Sequence, residues 1–311
     1  MNWQQRLRQI WLVARLEQRR AFFSRRAFWV YLLALFPTIP FAGRGIEARY
    51  QMETWKSQAV SSPAALDSVQ EGEAAEDVIT RLGAPIRDFS RVIPQPENPP
   101  DTMRHLLYFD GHRRADLTFR NGGLDRIRIR PLVDLEEDRQ IFARIFHQFY
   151  LRLAVFFGCL GICMNLFRGE MLDKTLHYWF LAPIRREVLL AGKYLAGVTA
   201  AGVIFGAGAL LCYGAMLWPQ SPAQLEPYWN QHGLAHAAGY MAAAVLGCVG
   251  YGSVFLAAGI LVRNPIIPAA ILLVWESING FLPAMLQQLS VLHHLQALAP
   301  VAPPVDSRAP A

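Results

Sequence analysis

Charge-free apolar runs set the frame of this chain. A hydrocarbon core about 30 Å thick needs about 20 helical residues, and about five runs approach that length. Ala27 to Gly43 is bracketed by Arg26 and Arg44, and Ile145 to Phe167 is interrupted only by Arg152, close enough to one end to snorkel. Leu189 to Trp218 carries Lys193 near its start; His236 to Val262 follows. The last run goes from Asn264 or Pro265 to about Gln288, and the tight turn Arg263-Asn264-Pro265 makes it an antiparallel partner of its predecessor.

Between the first two runs the pattern changes. Ser68 to Leu82 has helical spacing and stops at Gly83-Ala84-Pro85. Arg104 to Phe109, Arg114 to Phe119 and Leu124 to Arg130 read as short strands, with Asp110-Gly111 and Asn121-Gly122-Gly123 where hairpin turns belong. Pro94 to Pro100 reads as a loop, and the acidic residues 133 to 144 as a helix running into the second span. Residues 44 to 144 thus predict a small α+β domain.

Ahead of the first run, residues 1 to 26 place Trp3, Leu7, Ile10, Trp11 and Ala14 on one helical face and Arg8, Arg15 and Arg19 on another, as in a helix lying on the membrane interface. A basic leader with no defined helix is the alternative. The fold class expected is an all-α polytopic membrane protein of about five spans, with an N-terminal interfacial helix and an inserted α+β domain.

Composition agrees: 53% hydrophobic against 17% charged residues excludes an ordinary globular chain. The net charge of +6 raises nucleic acid as a partner, but the N-terminal arginines gather just before the first span, where the positive-inside rule puts them. That rule sets the N-terminus and the Lys174, Arg185, Arg186 and Lys193 group on the cytoplasmic side of a bacterial inner membrane. Residues 44 to 144 and the tail 289 to 311 are then outside, and no cleavable signal peptide is needed. Lipid is an expected partner; nucleic acid is not. Cys159, Cys163, Cys212 and Cys248 all lie in apolar stretches, so they read as small core residues, not as a disulfide framework or metal site.

The stretch from Arg168 to Glu187 is unlike a loop. Glu170, Asp173 and Lys174 can stay solvated while Leu172, Leu176, Trp179 and Phe180 form an apolar ridge, and Pro183 stops the helix. Such a ridge suits docking into a groove of a soluble partner; lying on lipid headgroups is the other reading.

In this stretch the sequence resembles the permease subunit of the ABC-2 type exporters. An acidic residue, a Thr-Leu pair, a Pro followed by a basic residue and a Lys opening the next span recur there in this order, and Glu170, Thr175, Leu176, Pro183, Arg185 and Lys193 occupy those places. The resemblance covers residues 1 to 43 and 145 to about 300. It implies export driven by a separate cytoplasmic ABC ATPase, a second permease copy completing a dimer, and a coupling role for Glu170, Leu172, Thr175, Leu176, Trp179, Phe180, Pro183 and Arg185. Such permeases generally have six spans, whereas no sixth is expected after Gln288. The outside segment resembles the small domains of outer-membrane assembly lipoproteins and beta-lactamase-inhibitor-like modules, through Glu71-Gly72, Asp77-Val78, Leu82-Gly83-Ala84-Pro85, Tyr108 and Phe119-Arg120-Asn121-Gly122. That likeness implies an interaction surface.

Enzyme chemistry has little support. Gly192-Lys193-Tyr194 lacks the upstream Gly and the hydroxyl residue of a phosphate-binding loop, and H-E-x-x-H and G-x-S-x-G are absent. No catalytic residue, metal or cofactor is expected. An assembly or sensing protein working through the outside domain, and an intramembrane enzyme, are the competing readings; co-purification of an ATPase, or activity without one, separates them.

Glu276 is the acidic residue deep in the last run, where a carboxylate costs about 2.5 to 3.5 kcal/mol on insertion scales. It is expected to face the interior or water. Asn279-Gly280 and Pro283 follow closely, so the span is expected to break there, with Glu276 either accepting hydrogen bonds from freed N–H groups or touching substrate.

Overall fold

The structure, a computed structural model, describes residues 3–23, 25–58, 61–93, 101–164, 166, 169, 171, 181, 184–262 and 266–302. It is mostly helical, with a small antiparallel sheet inserted between membrane-type helices. Two compact units divide it: residues 43–136 with 219–221, and the remainder.

Helix α1 (Trp3–Phe23) is followed by α2 (Arg25–Leu35) and α3 (Thr38–Gln58). The first apolar run is therefore not one straight helix. Pro37 has no N–H to continue the α2 ladder, and the helices on either side of it bend by 42°. Taken as one broken span, the pair is apolar and long enough to cross.

The inserted unit contains α4 (Pro63–Asp67), α5 (Ala75–Leu82) and strands β1 (Arg87–Ile93), β2 (Asp101–Phe109), β3 (Arg113–Arg120) and β4 (Gly123–Pro131). The strands form an antiparallel meander in chain order. Three strands were expected, and β1 is the addition. Its apolar Phe89 is 62% exposed and Val92 59%, so the strand carries no inward alternation to betray it. The helix expected from Ser68 starts only at Ala75. Gly72, at φ 91°, donates to the Leu124 carbonyl and Leu124 donates back to Glu73, which draws residues 72–74 onto β4 instead. The Asn121-Gly122 turn joins β3 to β4 with both residues at positive φ, the geometry a tight hairpin needs. The loop expected at Pro94 to Pro100 lies outside the described residues.

Leu106, Tyr108, Ala115, Leu117, Phe119 and Leu124 fill one face of the sheet, packed with Leu66, Val78 and Leu82. Around them, paired charges hold the turns. Burial works against the Asp110 carboxylate, but the N–H groups of Arg113 (2.6 Å) and His112 (2.9 Å) and the Arg113 guanidinium (2.7 Å) outweigh it and hold its carboxyl below the usual range. Bonding by Arg104 does the same for Asp88. A lowered native pKa stabilises the fold above the ordinary carboxylate value, near 4, and that contribution is lost as pH falls through the lowered native value. The protection of the β2–β4 amides against hydrogen exchange, relative to their intrinsic rates, should fall below about pH 4, and Asp110→Asn should remove part of that acid sensitivity. Protection that stays constant down to about pH 2.5 would contradict this coupling.

In the other unit, α6 (Leu135–Cys163), α7 (Arg186–Leu217) and α8 (Pro222–Leu261) are each long and apolar enough to cross a membrane. Helix α6 begins in the acidic segment and continues without a break, widening to π-helical turns over Phe146–Val155. Small residues let these helices close on one another. A Cβ at Gly206 of α7 would sit 3.2 Å from Val245 of α8. Aromatic rings fill the widened part of α6: Phe146 meets Tyr240 at 4.7 Å, and the Tyr150 hydroxyl donates to the Phe205 carbonyl at 2.6 Å. The four cysteines are buried and unpaired.

Among the described residues the fifth run forms a shorter helix and not a crossing one. Helix α9 (Ile266–Ile278) has 13 residues, about 20 Å at 1.5 Å per residue, which falls short of the bilayer core. A 3-10 turn at Asn279–Phe281 and Pro283 end it. After the short turn Ala284–Gln287 comes α10 (Val291–Leu298), where a tail was expected. Val291 and Leu295 of α10 pack on Gly250 and Gly247 of α8. The described helices thus supply three spans, or four with the bent pair, in place of about five.

Candidate functional site

Two buried polar centres stand out in the membrane-type unit. The first is built on Lys193, in the second turn of α7 and entirely without solvent exposure. Its ammonium donates to Glu17 Oε1 of α1 at 2.8 Å and to the Leu166 carbonyl, just past the end of α6, at 3.1 Å. Val13, Leu166, Leu189 and Leu256 form an apolar collar, so four elements meet at one charge pair. The approach of α1 depends on Gly192: a Cβ there would lie 2.7 Å from that of Val13 and 3.0 Å from the Ile10 carbonyl. On α1, Val13, Ala14 and Glu17 are buried whereas Trp3, Leu7 and Trp11 are exposed, so the expected apolar face is shared between the bundle and the outside. Gln18 adds a hydrogen bond to Thr199 of α7 at 3.0 Å.

Glu17 was not singled out from the sequence. The signal was available, because it is the lone acidic residue before Glu47 in a segment crowded with arginine. A single carboxylate in such a setting invites a buried cation as partner.

Leu166 and Lys193 flank the amphipathic stretch. Of the residues expected to couple to an ATPase, Glu170, Leu172, Thr175, Leu176, Trp179, Phe180 and Pro183 lie outside the described residues. Arg185 is described: it is the extended residue preceding α7, and its carbonyl accepts from Val188 and Leu189. Arg186 and Glu187 already belong to α7. Met171 and Leu181, also described, are exposed, Leu181 at 79%.

The second centre is Glu276, 3% exposed near the end of α9. Its carboxylate accepts from the Ser290 hydroxyl and from the Val291 N–H at 3.2 Å, at the start of α10. Ser290 in turn caps α10 through the His293 N–H at 3.1 Å. One carboxylate therefore joins α9 to α10 across residues 279–290, satisfying the Val291 N–H and the Ser290 hydroxyl at the start of α10. Glu276→Leu is expected to destabilise the unit by about 1–3 kcal/mol, since buried donors lose their acceptor, while Glu276→Gln keeps an acceptor and loses less. Thermal unfolding in detergent reads the difference; equal midpoints for the two variants would remove the bridging role.

Among the described residues no group of His, Cys, Asp and Glu is placed to hold a metal. No protein family, no curated protein and no solved structure matches the chain. The fold itself defines a class: a multi-pass membrane protein with a small antiparallel-sheet insertion.

Proposed function

We propose that the chain is the membrane-spanning permease subunit of an ATP-driven export system of the ABC-2 type, working with a separate cytoplasmic ATPase and a second permease copy. The observation that carries the reading is the Lys193 centre. A lever that receives force from a soluble motor needs a stiff mounting, and one buried pair ties α1, Leu166 and the start of α7, so both chain ends of the stretch from Arg168 to Arg185 are anchored. The order of Glu170, Thr175, Leu176, Pro183, Arg185 and Lys193 supports it further. With no phosphate-binding loop in the chain, ATP turnover belongs to the partner.

Isolation of the full chain from its native membrane in mild detergent tests this reading. It is expected to bring down an ATPase with a phosphate-binding loop. Enzymatic activity from the isolated chain alone, or a stable complex devoid of any ATPase, would overturn it.

A further inference from the structure

The sheet of the inserted unit has one covered face and one bare one. Paired residues of an antiparallel sheet stand on the same side, so the register identifies what the bare face carries. One cross-strand row is Arg87, Leu107, Asp116 and Arg128; the next is Phe89, His105, Thr118 and Arg126. Arg91 stands opposite Met103, and Arg114 opposite Arg130. The acidic sheet residues on this face are engaged, Asp116 by Arg114 and Asp101 by Arg120, and Glu47 of α3 beside it accepts from Gln51. Arg87, Arg91, Arg126, Arg128 and Arg130 are exposed and have no acidic partner among the described residues.

Arginine on β4 alone would fit an edge strand protected against pairing. That reason does not cover β1, nor the open groove of about 560 Å³ lined by Tyr50 and Trp55 of α3 and by Phe89, Leu107, Arg87 and Arg114 of the sheet. Phe89 and Tyr50 are 62% and 69% exposed, so apolar surface lies beside Arg87, which has no acidic partner among the described residues.

We propose that this face docks an extended acidic polypeptide segment of a partner protein, with one apolar side chain in the groove and carboxylates on the free arginines. The guanidinium fork matches a carboxylate in two-point contact. Arg126, Arg128 and Arg130 recur at every second position, about 6.8 Å apart along β4, the interval at which an extended peptide presents side chains on one side. A flat anionic lipid surface would leave a concave apolar groove unfilled. The inference stands independently of the transport reading.

The test uses the full chain in nanodiscs of neutral lipid and a fluorescein-labelled ten-residue peptide alternating Glu and Thr around a central Leu. Anisotropy should show binding at least about tenfold tighter than that of the peptide with Gln for Glu. Arg87→Gln combined with Arg128→Gln should remove that advantage while hydrogen exchange of the sheet stays unchanged. Phe89→Ser should weaken the Leu peptide but not its Leu→Ser counterpart. Equal binding of the Glu and Gln peptides overturns the proposal. So does a Leu preference indifferent to Phe89, which would reduce the effect to charge attraction. Stronger attachment to phosphatidylglycerol vesicles than to the peptide, lost in the same arginine variant, would assign the face to lipid and also overturn it.

Discussion

Glu17→Ala is expected to destabilise the membrane-type unit by about 3–5 kcal/mol, the largest single-residue effect in the molecule, because it strands a fully buried ammonium. Lys193 has no exposure and Glu17 has 4%, so water is not available to replace the carboxylate. The Leu166 carbonyl would remain as an acceptor but carries no full charge. Glu17→Leu with Lys193→Met removes both charges and fills similar volume, so the double variant should recover most of the loss. Denaturation in mixed micelles reads this directly. A Glu17→Ala variant as stable as the wild type would mean that the pair is solvated and does not hold α1 in place.

The second large effect concerns the amphipathic ridge. On the proposed reading, burial of a Leu or Trp side chain in a partner's groove is worth about 2 kcal/mol each, so Leu176→Asp with Trp179→Asp should weaken ATPase docking by about a thousandfold. Insertion should be unaffected, because neither residue belongs to a crossing run. Transport should disappear while the ATPase keeps its own turnover. Normal co-purification of the ATPase with the double variant would show that docking lies elsewhere.

How much of this was legible depended on whether the governing interaction was local. Helices α7 and α8 follow from uninterrupted apolar runs, and the β3–β4 hairpin from Asn121-Gly122, since run length and turn chemistry are properties of neighbouring residues. The bend at Pro37 and the short α9 were harder to place. An apolar run records solubility in lipid but not the ladder of hydrogen bonds, which proline and glycine interrupt. Strand β1 escaped because its apolar residues face outward, and α5 was overextended because the pull of β4 on Gly72 comes from far along the chain.

The site divided in the same way. Glu276 announced itself by the cost of its charge in an apolar run, but its donors Ser290 and Val291, 14 and 15 residues further on, appear only once α9 and α10 are folded together. Lys193 was conspicuous, and Glu17 stood out as a lone carboxylate among arginines, but that the two pair across 176 residues appears only in the folded unit.

The central claim is that a motor protein docks between Leu166 and Lys193. A photoreactive benzoylphenylalanine at the exposed Leu181 tests it most directly. Irradiation of native membranes carrying the full chain, followed by mass spectrometry of the adduct, should identify an ATPase with a phosphate-binding loop, and the adduct should vanish in the Leu176→Asp, Trp179→Asp background. Cross-linking only to lipid, or to a protein without a nucleotide-binding motif, would contradict it.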